Sequence, residues 1–107
     1  MLIQVYMDTI EAEINQTPIP ILLACIHPDA ARKPYQELLE GIEADFPDQV
    51  KVCLLQEEID GMIGKKYGIA GTPMFLMVHG ARVIAQLLGE ADLPSLIAFI
   101  TQNMPSL

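Results

Sequence analysis

The stretch that most constrains this chain runs Lys65-Lys66-Tyr67-Gly68-Ile69-Ala70-Gly71-Thr72-Pro73 and leads into Met74-Phe75-Leu76-Met77-Val78. Two lysines followed by glycine suit the end of a helix. Cations are favoured at its C-terminus, and glycine accepts the left-handed conformation that closes it. Pro73 then stands at the head of an apolar run. Proline cannot donate to a ladder, so it belongs at a strand's first residue or on an edge. His79-Gly80-Ala81 reads as a hairpin turn, Arg82 to Leu88 as the returning strand, and Gly89 as its end.

The rest of the chain alternates strands with helices. Leu2 to Tyr6 reads as a first strand, and Asp8-Thr9-Ile10-Glu11 as a capping box opening a helix to about Gln16. After the break at Thr17-Pro18-Ile19-Pro20, Ile21 to Ile26 is continuously apolar, as in a strand buried on both faces. A long helix follows to Phe46, its stripe formed by Ala31, Tyr35, Leu38, Leu39, Ile42 and Phe46, with a bend expected at Pro34. Pro47-Asp48-Gln49 is a turn and Val50 to Leu55 a third strand. Glu57-Glu58 lead a short helix through Lys66, weakened at Gly61 and Gly64 by ~1 kcal/mol each. Asp92 caps a last helix with Pro94 in its first turn and Leu93, Leu96, Ile97 and Ile100 as its buried stripe. The expected order is β-α-β-α-β-α-β-β-α. That predicts one α/β domain over residues 1–107, a mixed five-stranded sheet flanked by four helices, with right-handed crossovers.

Charge narrows the partners. Six Lys and Arg stand against fourteen Asp and Glu, a net charge of −8, which repels phosphate backbones and anionic lipid. Neither nucleic acid nor membrane is expected as a partner, and no apolar run approaches the ~18 residues of a span. The N-terminal residues Met1 to Asp8 lack a basic region and a small-residue cleavage site, so a cytoplasmic location is expected. The two cysteines, Cys25 and Cys53, lie inside apolar runs with neither zinc spacing nor a disulfide framework, which fits a reducing compartment.

The segment from Lys65 to Gly89 and the order of elements resemble the thioredoxin superfamily, over almost the whole chain. The resemblance implies a thioredoxin fold in which Pro73 is cis. The family's Cys-Gly-Pro-Cys site lies at the end of the second strand and the start of the long helix, with a further proline five residues later. Pro34 matches that later proline and Pro28 the motif's own, so the four motif positions fall on Ile26, His27, Pro28 and Asp29. Both cysteines are missing. The family's buried aspartate and its lysine neighbour fall on Pro20 and Leu54. Dithiol exchange needs one thiolate to attack and a second thiol to resolve the mixed disulfide, so the resemblance is to a redox-inactive member. What survives is the helix start at Pro28-Asp29, the Thr72-Pro73 backbone that in the family pairs with an extended peptide, and an apolar rim of Ile26, Ile69, Ala70 and Leu88. The implied function is a protein-binding module, chaperone-like or an assembly factor. It would take a protein or extended peptide along Ile69, Ala70, Thr72 and Pro73, without cofactor or metal.

Residual chemistry centres on Cys25, one residue before the place of the usual nucleophile. A thiol near a helix start can have a lowered pKa and act alone, which makes a single-thiol oxidoreductase the alternative function. A free cysteine in an apolar run also reads as a small core residue, as Cys53 does. His27 and Asp29 could be an acid–base pair or two metal ligands, but residues two apart at a helix start need not face each other, and Asp29 also reads as an N-cap. Met74 and Met77 read as core filler.

Overall fold

All five residues of the apolar run Ile21–Cys25 are buried, and they form β2, the strand on which the sheet is built. The computed structural model describes residues 2–6, 8–26, 32–55, 65–69, 71 and 73–105. Its elements are β1 (Ile3–Val5), α1 (Ile10–Gln16), β2, α2 (Arg32–Asp45), β3 (Lys51–Leu55), the helical residues 65–67 (α3), β4 (Met74–His79), β5 (Arg82–Leu88) and α4 (Leu93–Gln102). The strands lie in the order β1-β3-β2-β4-β5. β1, β3 and β2 are parallel, and β4 runs antiparallel to both β2 and β5. The chain is an α/β structure around one mixed five-stranded sheet.

Side chains alternate across a strand, so a sheet covered on both sides carries two cores. Leu22 and Ala24 of β2 and Phe75 and Met77 of β4 join Leu39 and Ile42 of α2 and Leu96, Phe99 and Ile100 of α4. Leu23 and Cys25 with Met74 and Leu76 join Ile10 and Ile14 of α1 and Tyr67 of α3 on the other side. Met74 and Met77 are thus core residues, on opposite faces.

Several local expectations change. Asp8 does not cap α1. Thr9 stands at the cap, and its hydroxyl accepts the Tyr6 N–H at 3.0 Å, reaching back along the chain instead of forward into the helix. The last helix begins as read: Asp92 accepts the Ser95 N–H at 2.9 Å, with proline in the first turn. Its stripe is shifted. Leu93 is 37% exposed, and Phe99 is buried beside Leu96 and Ile100. Leu93 is the first helical residue and its Cα–Cβ direction carries it past the helix end, while Phe99 lies three residues from Leu96 on the inner face. The bend expected at Pro34 concerns its missing bond to residue 30, and most of the helix expected from Glu57 to Lys66 likewise lies outside the described residues. Gly68 has φ +70°, the left-handed close foreseen for it.

The Ser95 side chain, and secondarily its backbone N–H, holds the Asp92 carboxyl below the ordinary aspartate range. A folded pKa lowered in this way contributes stability above the unfolded pKa of ~4 and loses it as pH falls through the folded value. In thermal unfolding, the advantage of the wild type over Asp92→Ala should be full at pH 6 and shrink as the pH drops below ~4.

The hairpin turn is tighter than its sequence suggested. His79 pairs with Arg82, leaving Gly80 and Ala81 as the two central residues at φ 59° and 63°. Both angles are positive, as a type I′ turn requires. Alanine there bears a strain of ~1–2 kcal/mol that glycine does not, against glycine's extra chain entropy of ~0.5–1 kcal/mol. Ala81→Gly should therefore raise the unfolding free energy in urea by about 0.5–1 kcal/mol.

Candidate functional site

The strand register brings three chain segments to one rim of the sheet. Cys25 lies opposite Met74, and Met74 opposite Leu88. One residue further out, the Gly89 N–H donates to the Pro73 carbonyl at 2.9 Å. The end of β2, the head of β4 and the end of β5 therefore meet where Ile26 and Gly89 follow their strands and Pro73 precedes its own. Leu88 is 58% exposed on this rim, the most open large apolar side chain described. A Cβ built on Gly71 would lie 3.7 Å from Leu88 Cδ1, so Gly71 lies beside it. Ile69 is half-buried against the α1-side core.

Of the residues read as the site, Ile69 and Pro73 are half-buried at the rim. Ile26 is not part of an open wall. It is 5% exposed and packs in the α2-side core, because the side of the sheet it takes after Cys25 is the one that α2 covers. His27, Pro28, Asp29, Ala70 and Thr72 lie outside the described residues.

Cys25 is fully buried, and loss of solvation pushes its thiol up to about 12. Cys53 is buried on the same side of the sheet and is also pushed up to about 12, by burial first and by the Glu13 carboxylate second, against the opposing pull of Lys51. Lys51 forms an ion pair with Glu13 and donates to the Thr17 hydroxyl at 3.3 Å, joining β3 to α1 over this thiol. Neither cysteine carries an appreciable thiolate fraction at neutral pH.

A cleft of about 600 Å³ opens between the start of α2 and the start of α4. Pro34, Tyr35 and Leu38 line one side, and Glu90, Ala91 and Asp92 the other. It follows directly on Gly89 in the chain, so it adjoins the rim. Scanned against models of known protein families, the chain matches none. The cleft was not anticipated. Tyr35 and Leu38 read as core residues, and each is half-buried, with the Tyr35 ring 6.0 Å from that of Phe75. The available signal was the acidic pair Glu90 and Asp92 on either side of Ala91, facing no basic residue nearby in the chain.

Among the described residues, no three His, Cys, Asp or Glu side chains converge as metal ligands would. Nor is any described helix long and apolar enough to cross a membrane. Among the described residues, the rim offers one exposed apolar side chain, Leu88, beside Gly71.

Proposed function

We propose that this chain is a redox-inactive thioredoxin-like domain, cytoplasmic, that binds a protein partner as an extended peptide. The peptide would lie beside Ile69, Ala70, Thr72 and a cis Pro73, in a chaperone-like or assembly role. The observation that carries the reading is Leu88, 58% exposed beside Gly71 while its cross-strand neighbour Met74 is buried. An apolar rim next to a strand end suits peptide held by backbone pairing and side-chain pockets. The strand order β1-β3-β2-β4-β5, parallel over its first three members, supports the fold half of the proposal. Single-thiol chemistry gains no support from a buried Cys25 whose thiol is pushed up to about 12.

The test compares the wild type with Leu88→Asp as bait in extract of the native cell. A partner retained by the wild type and lost by the folded variant is the expected result. Equal retention by both would remove the rim from consideration. In a parallel assay of insulin reduction by dithiothreitol, the protein should leave the rate at background, and catalysis at the rate of an ordinary thioredoxin would overturn the redox-inactive assignment.

A further inference from the structure

A second cleft, of about 400 Å³, lies between α3 and the β4–β5 hairpin and is lined by none of the rim residues Ile69, Gly71, Pro73, Leu88 and Gly89. Lys65, Lys66 and Arg82 line it, three of the six cations in a chain of net charge −8, and no acidic side chain among the described residues does. Lys66 forms an ion pair with Glu11. Lys65 and Arg82 have no ion-pair partner among the described residues. Between the cations, the half-buried Val83 and the buried Tyr67 supply an apolar floor, and Gln86 an amide.

The cleft owes its shape to a break in the ladder. Met77 pairs with Ala85 and Val78 with Val83, so Ile84 is an extra residue in β5. Without it, side chains three apart would face opposite sides of the sheet. With it, Val83 and Gln86 both line the cleft, while Ala85 and Leu87 pack into the opposite core. Bulges commonly re-aim side chains in this way beside binding sites.

We infer that this cleft binds a short acidic segment of a protein partner, with carboxylates on Lys65 and Arg82 and an aliphatic side chain over Val83. Charge selects the class of ligand. Elsewhere the surface repels anions, so an acidic segment is favoured only where the cations gather. A nucleic acid would bring a continuous run of phosphates against a net charge of −8 and, in this cleft, two cations without an ion-pair partner among the described residues. A small lone anion would leave the apolar floor uncovered and would sit in an open cleft whose Lys66 side chain is 54% exposed.

The test titrates ¹⁵N-labelled protein with the peptide acetyl-Glu-Glu-Leu-Glu-Glu-amide and follows amide shifts. Saturable shifts confined to residues 65–68 and 81–86 are expected. Lys65→Glu/Arg82→Glu should weaken binding at least tenfold and should instead bind the peptide with lysine in place of glutamate. Lys65→Gln/Arg82→Gln removes the charges without reversing them and should also weaken binding, which keeps the test open if the first variant fails to fold. The uncharged variant Leu88→Ala should leave the titration unchanged, so failure here and failure of the rim reading are told apart. Shifts at Gly71, Leu88 and Gly89 in place of the cleft, binding indifferent to the substitutions, or the same shifts and affinity with inorganic phosphate would each overturn the inference.

Discussion

Thiol reagents added to the folded protein at neutral pH should label Cys25 and Cys53 roughly a thousandfold more slowly than after unfolding. Both thiols are pushed up to about 12 by burial. An unfolded cysteine titrates near ~8.5, and only the thiolate attacks. Three units or more of displacement remove about three powers of ten of thiolate before access is considered. Cys25 has no exposed surface at all, so even the remaining route runs through opening of the α1-side core that covers it. The measurement is a labelling time course with an aromatic disulfide reagent, in buffer and in denaturant. Rapid labelling of one thiol in buffer, at a rate that titrates near neutrality, would shift the function to single-thiol chemistry at that residue.

Phe75→Ala should lower the unfolding free energy by about 3–5 kcal/mol, a large part of the ~5–15 kcal/mol that domains commonly possess. Phe75 is fully buried, between Ala24 on β2 and Leu87 on β5, with its ring tilted 51° against Tyr35 of α2. Truncation removes the apolar contact, leaves a cavity and abolishes an aromatic pair worth ~0.5–1.5 kcal/mol. Ala24 is too short to fill the space, and Tyr35 and Leu87 are held by α2 and β5. Phe75→Leu should cost less than ~1.5 kcal/mol by comparison. Urea titrations of the three proteins at one temperature decide the matter. An alanine variant within 1 kcal/mol of the wild type would mean that Tyr35 and α2 do not rest on this ring.

What was legible in the sequence was whatever neighbouring residues decide among themselves. Asp92 and Pro94 start α4, Gly68 closes α3, and Gly80 turns the hairpin because each acts through its own backbone within a few residues. The unbroken run Ile21–Cys25 announced a strand covered on both faces. Thr9 shows the limit of such reading: its hydroxyl had two N–H groups within reach and took the one behind it. Leu93 and Phe99 exchanged roles because the phase of a stripe depends on which neighbour a helix meets. The extra residue in β5 is invisible without β4, since a bulge exists only in the pairing. At the candidate site, the burial of Cys25 followed from its apolar neighbours. The place of Leu88 on the rim was read only through the resemblance, because it depends on the pairing of distant segments that no local pattern encodes.

That extra residue, Ile84, bears on the protein's behaviour when concentrated. β5 is the longer of the two outer strands, seven residues against three, and its outward edge is where a straight ladder would invite another chain. Ile84 interrupts that ladder and twists it. Deleting it would pair Val83 and Ala85 with their present neighbours, on their present faces, and leave the two cores as they are. The shortened strand should fold. It would also present an unbroken edge beside an exposed Leu88, and such a protein should form aggregates at concentrations where the parent stays dispersed.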